Sequence, residues 1–322
     1  MSSRRRLPAL VILALVLFAT GCTPTRPPQP EGDPGTSQAV LGDPRTVDPC
    51  TLTDPMALRD FGEVENAGTV SLDYCLLHVQ LGGGQLAQLA VGQLERVDPG
   101  RAANGDPVVP HGPVRVVQDA PLPGHCARQV LFTDSVAMQV SADLLVGEPG
   151  PGLCSVAQAG ADAALKVLDE HRVGHRSFPP NSLALTDPCA EVDLAAVRRI
   201  PGLEQAEPQG SPARHQCLWG REAADAPRVQ FQHTAGDPPK VLHQGASEQQ
   251  IAGRRSVVSI VGGDPRLPLC SVETGHVPFG DPASGQVEVA MLVVAMPGRS
   301  GPEACDHARD VAAATWPHLP RA

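Results

Sequence analysis

Aromatic side chains are scarce in this sequence, making up 3% of 322 residues with two tryptophans, six phenylalanines and one tyrosine. Cores built from such a chain must depend on Val, Leu and Ala, each of which buries less area than an aromatic ring. Lysine is also scarce, because Lys166 and Lys240 are the two present and the other basic residues are arginine. The formal net charge is −10, which repels phosphate backbones, so we expect no nucleic-acid partner.

The motifs of common enzyme classes are absent as well. The sequence contains no G-x-S-x-G, H-E-x-x-H, P-loop or G-x-G-x-x-G, and each of these marks a specific chemistry. Eleven histidines are scattered, and His125 beside Cys126 has no counterpart in the second half, where Leu269 precedes Cys270. No C-x-x-C spacing occurs, so a zinc site is not expected. We therefore predict no catalytic residue, no metal and no cofactor, while an acid pair assembled across loops stays open.

What is present begins with an N-terminal export signal. Arg4 to Arg6 form a basic region and Leu7 to Phe18 an apolar region too short to span a bilayer comfortably,. The following Ala19-Thr20-Gly21-Cys22 resembles the lipobox of bacterial lipoproteins, with Ala19 standing where that family usually has Leu. The resemblance implies a signal peptide over 1–21, lipidation of Cys22 and attachment to the outer face of the cell membrane. The alternative is a secreted protein cut near Ala19 with Cys22 as an unpaired thiol.

A proline-rich stretch follows the anchor. Residues 22–46 hold six prolines among Gly, Thr, Glu and Asp, without an apolar period. Such a stretch buries too little apolar surface to fold, and its prolines keep it extended. We predict a tether over 22–46.

The rest of the chain is organised by a repeat. Asp48-Pro49-Cys50 returns as Asp187-Pro188-Cys189, and each copy opens a half with four cysteines. The gaps between cysteines are 25, 51 and 28 in the first half and 28, 53 and 35 in the second. The cysteines are Cys50, Cys75, Cys126 and Cys154, then Cys189, Cys217, Cys270 and Cys305. We predict a tandem duplication: one domain over 47–172, a linker over 173–185 and a second domain over 186–322.

Within each half, apolar spacing predicts the order of the elements. A short helix after the first cysteine is indicated by Leu58 and Phe61, with Asp54 as its cap and Gly62 at its end,. The second and third cysteines fall in strand-like runs, and the fourth opens a closing helix,. We interpret Gly82–Gly84 as a turn and predict a short helix over residues 85–95.

Eight cysteines allow 105 pairings, and three remain for each half if the halves fold alike and close separately. We favour first with second and third with fourth. The resulting pairs are Cys50–Cys75, Cys126–Cys154, Cys189–Cys217 and Cys270–Cys305. Each loop of 25–35 residues would stabilise the fold by roughly 3 kcal/mol in the chain-entropy model.

The Asp-Pro-Cys start, the cysteine in a following strand and the late cysteine opening a helix resemble a large actinobacterial group. That group comprises lipoproteins of unknown function and the extracellular sensor domains of PknH-type receptor serine/threonine kinases. The resemblance implies an α+β fold of two similar domains, each a twisted antiparallel sheet with flanking helices, two disulfides and a ligand cleft. This chain shows no kinase domain.

Three functions follow from these observations. We favour a non-enzymatic, membrane-anchored module that binds or senses a small molecule, a lipid or an envelope protein. A structural or accessory subunit of an envelope complex is the alternative, and an envelope hydrolase is the third. An apolar pocket would favour the first, and a flat apolar patch the second.

Overall fold

The protein contains two antiparallel β-sheets of seven strands each, together with a few helices, and is of the α+β class. The computed structural model describes residues 33–68, 71–98, 108–150, 152–223, 225–261 and 266–322. The first sheet consists of β1 (Glu63–Gly68), β2 (Cys75–Leu81), β3 (Gln85–Arg96), β4 (Val108–His111), β5 (Val114–Gln118), β6 (His125–Leu131) and β7 (Val136–Val146). The second consists of β8 (Pro208–Gly210), β9 (Gln216–Gly220), β10 (Arg228–Gly236), β11 (Ala246–Ile251), β12 (Arg254–Val261), β13 (Leu269–Pro278) and β14 (Val287–Ala295).

The two sheets have the same strand order. The first runs β1-β2-β3-β7-β6-β5-β4 and the second β8-β9-β10-β14-β13-β12-β11. Counted within each half, both orders are first, second, third, seventh, sixth, fifth, fourth. Each half therefore begins at one sheet edge, crosses to the opposite edge at its fourth strand, and returns to the middle.

The helices are short except for the two that close the halves. They are α1 (Ser37–Leu41), α2 (Gly152–Asp169), α3 (Pro188–Glu191), α4 (Leu194–Val197) and α5 (Gly301–Thr315). Short 3₁₀ helices cover Pro49–Leu52, Pro55–Phe61, Gly82–Gly84, Leu183–Leu185, Pro282–Ser284 and Trp316–His318. The closing helices are confirmed, since α2 shares a core with the first sheet and α5 a core with the second.

The ends of these elements follow from local chemistry. Pro317 cannot continue an α-helix, and α5 ends at Thr315, leaving Leu319 to pack against the core from the tail,. The predicted helix over Leu58 and Phe61 is present in 3₁₀ form. Its cap Asp54 accepts a hydrogen bond from Met56 N at 2.9 Å,.

The predicted helix over residues 85–95 is wrong, because this stretch belongs to β3. β3 is central in the first sheet and pairs with β2 on one side and β7 on the other. Every second residue of β3, namely Ala87, Leu89 and Val91, faces the core,. The spacing of the leucines resembles a helical period and hid this period of two. Pairing on both edges outweighs the local preference of a Leu- and Gln-rich stretch. The Gly82–Gly84 turn is confirmed as the link between β2 and β3.

The predicted tether extends too far. Residues 33–46 carry α1, capped by Thr36, and Leu41 lies in the core of the first half with 1% of its surface exposed. Ser37 donates from its backbone N and its hydroxyl to Asp134 at 3.0 and 2.7 Å. One buried leucine is too little to produce an apolar period, so the sequence pattern missed this docking. Residues 1–32, including the signal, Cys22 and the start of the tether, lie outside the described residues.

Four disulfides join the elements. They are Cys50–Cys75, Cys126–Cys154, Cys189–Cys217 and Cys270–Cys305, the pairing that the sequence favours. In each half one bond ties the first short helix to the second strand, and the other ties the sixth strand to the closing helix. Disulfides persist in oxidising compartments, so they fit an extracellular protein. Over the described stretches, no helix has the length and apolar character needed to span a membrane.

Candidate functional site

The chain between the sheets, residues 173–186, contacts both halves, and we call it the connecting segment. At its start, Asp48 N donates to Gly174 O at 2.8 Å and Arg176 N donates to Thr46 O at 2.7 Å. These backbone bonds hold the connecting segment against the beginning of the first half. Residues Asp33–Ala322 accordingly form one compact unit with two principal cores.

At its other end the connecting segment is held by buried polar groups of the second half. Glu288, with 1% of its surface exposed, accepts from Ser182 Oγ at 2.5 Å and from Leu183 N at 2.7 Å. The buried His233 places Nδ1 3.0 Å from Leu183 O and Nε2 2.9 Å from Glu191 Oε2. Buried carboxylates and imidazoles require such partners, because leaving them unpaired away from water is costly.

A second buried histidine links the two halves directly. His215 Nδ1 lies 2.6 Å from Asp73 Oδ1, and its Nε2 lies 3.2 Å from Ala184 O. The carboxylate and the carbonyl are both hydrogen-bond acceptors, and each lies within hydrogen-bond distance of one ring nitrogen. A side chain of the second half thus contacts the first half and the connecting segment at once.

An open groove of about 700 Å³ lies where the connecting segment meets the two halves. We call it the junction groove. Asp48 lines it from the first half, Arg176 and Phe178 from the connecting segment, and Phe279 and Glu288 from the second half. Its volume falls in the range of ligand sites, roughly 300–1,000 Å³.

Arg176 is the central side chain of the junction groove. Its Nη2 lies 2.8 Å from Asp48 Oδ1, and its guanidinium carbon lies 5.1 Å from the centre of the Phe279 ring. An arginine over a phenyl ring gains from the negative face of the ring. Asp48 also accepts from Cys50 N at 3.1 Å. The groove wall is therefore held in place by contacts that join residues of both halves.

The charge of the junction groove is negative. Asp48, Asp281 and Glu288 contribute three carboxylates to its lining, against the single guanidinium of Arg176. Outside the lining, Arg45 bonds to Asp43 and holds the pKa of that carboxyl below its usual range, with a smaller contribution from the groove residue His175. The groove thus combines two phenyl rings with an excess of acidic oxygen atoms.

The eight cysteines predicted to form disulfides hold the fold together and do not line the junction groove, with the exception of Cys50. Asp48 and Asp187 each accept from the backbone N of the cysteine two residues later, at 3.1 and 2.9 Å. Only Asp48 of these two also pairs with Arg176 in the groove. The first Asp-Pro-Cys copy therefore contributes both to a disulfide and to the candidate site.

Sequence reasoning missed Arg176, Phe178 and Phe279. A usable signal was present, because two of only six phenylalanines lie outside any strong helical or strand period. In a chain so poor in aromatic residues, a phenylalanine in a connecting stretch indicates either an interface or a binding surface.

One serine, aspartate and histidine cluster lies on the first sheet, outside the groove. His125 Nδ1 lies 2.6 Å from Asp143 Oδ1, and Ser141 Oγ donates to Asp143 Oδ2 at 3.2 Å. The serine thus bonds to the carboxylate and not to the imidazole, whereas an activated nucleophile needs contact with its base. Among the described residues, no group of three His, Cys, Asp or Glu side chains is placed to hold a metal ion.

Comparison of the chain with protein families, with curated proteins and with solved structures gives no match.

Proposed function

We propose that this protein is a non-enzymatic, lipid-anchored module that binds or senses a ligand outside the cell membrane, with the junction groove as its ligand site. The observation that carries the proposal is the set of contacts among Asp48, Arg176 and Phe279, which brings both halves and the connecting segment to one groove. A site at a junction responds to the relative position of its two sides. Ligand binding there would alter or stabilise the arrangement of the halves.

The lining indicates the chemistry of the ligand. Phe178 and Phe279 offer apolar surface, and the lining holds three carboxylates against one guanidinium, that of Arg176, which is itself paired with Asp48. An amphipathic molecule with an apolar body and a positively charged group matches both features. An anionic ligand would be repelled.

The two halves are best explained as tandem copies of one domain. Their strand orders are identical, and their disulfides join corresponding elements. Two independent folds would have no reason to share both properties. The boundaries 47–172, 173–185 and 186–322 describe the copies and their linker, with residues 33–46 docked onto the first copy.

The exported location is supported by the disulfides, and the anchor by the lipobox-like sequence before Cys22. A single acyl chain gives marginal membrane attachment, so the two or three chains of a lipoprotein are what would hold the protein stably.

Replacing Cys22 with Ala tests the anchor. We expect the variant to appear in the medium and to lose fatty-acyl labelling, because the sulfur that carries the lipid is gone. A Cys22→Ala protein that stays in the membrane fraction and keeps its label would contradict the anchoring proposal.

The groove is tested by Phe178→Ala, with Phe61→Ala as the matched control. Both phenylalanines are half-buried, and Phe61 packs against the first core, away from the groove. Native mass spectrometry of protein isolated from its own membrane should show a bound cationic amphiphile on the wild type and on Phe61→Ala, and its loss on Phe178→Ala. Equal retention by both variants, or an anionic occupant, would rule out the proposed site.

One observation favours the accessory-subunit alternative. Val241 and Leu242 are adjacent in a loop and expose 48% and 75% of their surface. If they form a subunit contact, Leu242→Asp should abolish cross-linking to a membrane partner while ligand retention in the junction groove is unchanged.

A further inference from the structure

The outer face of the first sheet, away from α2, carries a small trough. Leu76 of β2, Ala90 of β3 and Ser141 of β7 lie in one row across three neighbouring strands, because Leu76 pairs with Ala90 and Ala90 with Ser141. Alternate residues of a strand share a face, so this row lies opposite the core-facing Leu77 and Leu89,. The row is the floor of a cavity of about 240 Å³, which we call the sheet-face trough.

Long polar side chains stand on both sides of this floor. Gln88 lies on one side, and Tyr74, Gln93 and Gln139 lie on the other. Gln93 reaches this position because the register of β3 shifts here relative to β7. Alanine and serine on the floor are much shorter than glutamine and tyrosine, and this difference in length creates the trough.

The walls are built to form hydrogen bonds but not to hold an ion. No side-chain hydrogen bond joins Gln88, Gln93 or Gln139 to another described residue, so three side-chain amides are available to a ligand. Each amide offers two donors and one acceptor. No charged side chain appears among the described residues that line the trough, although 19% of the chain is charged. Beside the floor, Asp143 accepts a hydrogen bond from Ser141 at 3.2 Å, and its other oxygen lies 2.6 Å from His125 Nδ1, so its carboxylate is already paired within the protein.

Tyr74, the single tyrosine of the chain, adds an aromatic surface. Burial raises the pKa of its phenol, and the neighbouring charge of Asp73 raises it further. A hydrogen bond with the side chain of Ser71 opposes this rise of the pKa in part, and the phenol stays neutral at physiological pH. A tyrosine ring presents an apolar face to C–H groups and a polar group at its tip.

The second sheet differs at the corresponding positions. Leu218 pairs with Gln230 and Gln230 with Val293, so a glutamine stands where the first sheet has Ala90. Val293 replaces Ser141, and Met291 replaces Gln139 in the next row. Gln230 therefore fills the floor in the second half. The next row keeps two glutamines, Gln216 and Gln232, but Gln232 Oε1 accepts a hydrogen bond from Gln230 Nε2 at 3.3 Å.

We propose that the sheet-face trough binds a neutral saccharide. Sugar hydroxyls both donate and accept, as the glutamine amides do, and the C–H face of a sugar ring can pack against Tyr74. The volume suits one or two sugar units of a longer chain, since it is smaller than a typical site for a drug-sized ligand. The proposal is independent of the junction groove, which lies elsewhere and has charged walls.

This proposal is tested by titrating the full mature protein with maltohexaose, cellohexaose and a neutral mannohexaose. Binding is measured by saturation-transfer NMR and by calorimetry. Gln139→Ala removes one wall amide, and Ala90→Gln fills the floor as Gln230 does in the second sheet. Gln80→Ala is the matched control, because Gln80 is an exposed glutamine of β2 outside the trough. Circular dichroism of each variant establishes that it is folded.

We expect at least one neutral hexasaccharide to bind the wild type and Gln80→Ala equally. Binding should weaken about tenfold in Gln139→Ala, the effect of one lost hydrogen bond, and should disappear in Ala90→Gln. Failure of all three saccharides at millimolar concentration would overturn the proposal. So would unchanged binding in both trough variants, or binding of hyaluronan hexasaccharide, an acidic chain, in preference to the neutral ones.

Discussion

The two tryptophans of this protein allow a sharp test of its second core. Trp219 and Trp316 both belong to that core, and each exposes 1% of its surface. Trp316 Nε1 donates to Ser256 Oγ at 3.0 Å. The indole nitrogen of Trp219 is buried and has no hydrogen-bond partner among the described residues. Replacing each with phenylalanine therefore removes a similar volume but a different polar contact.

The magnitude follows from this difference. Both substitutions leave a cavity, and that cost is shared. Trp316→Phe also breaks a hydrogen bond with a net value of about 1 kcal/mol. Trp219→Phe instead removes an unsatisfied buried donor, whose burial costs about 1–3 kcal/mol. We expect Trp316→Phe to lower the free energy of unfolding by about 2–4 kcal/mol more than Trp219→Phe.

Guanidinium unfolding of the oxidised protein, followed by far-ultraviolet circular dichroism, measures both values without depending on tryptophan fluorescence. Equal m-values for the two variants would show that the comparison concerns the same transition. Equal losses of stability, or a larger loss in Trp219→Phe, would refute the assignment of the hydrogen bonds in this core.

Two further predictions concern single sites. Gly62 has φ 150°, and a Cβ built there lies 1.8 Å from Gln80 O,. At Gly112 an added Cβ meets nothing within 4 Å. Gly62→Ala should therefore lower the thermal midpoint of unfolding far more than Gly112→Ala. Burial raises the pKa of Glu273, and the hydroxyl of Ser271 opposes this only in part. The stability that Glu273 contributes is then full below its unfolded pKa of about 4.3 and is lost as the pH rises through its folded value. Glu273→Gln should abolish this loss in urea titrations repeated between pH 4 and 7, and a parallel pH dependence in variant and wild type would contradict it.

Part of the fold was predictable because its signals are local. Cysteine spacing identifies the two halves, and the i, i+3, i+4 stripe after Cys154 and Cys305 predicts the closing helices, which depend on a face that repeats along the chain. The stretch over residues 85–95 was misassigned, because its strand character depends on β2 and β7, which pair with it from outside the stretch. Leu41 was missed for a similar reason, since one buried residue leaves no period to detect.

By itself the sequence determined the order of most elements and the cysteine pairs that it favoured, since these follow from spacing and periodicity, while the α+β class was implied by the family resemblance. Only the tertiary structure decided which side chains meet. Arg176 and Phe279 are about a hundred residues apart, and the row of Leu76, Ala90 and Ser141 exists only because three strands adopt one register. Contacts between distant segments leave no periodic trace in a single chain, so the junction groove and the sheet-face trough became visible only once the sheets were formed.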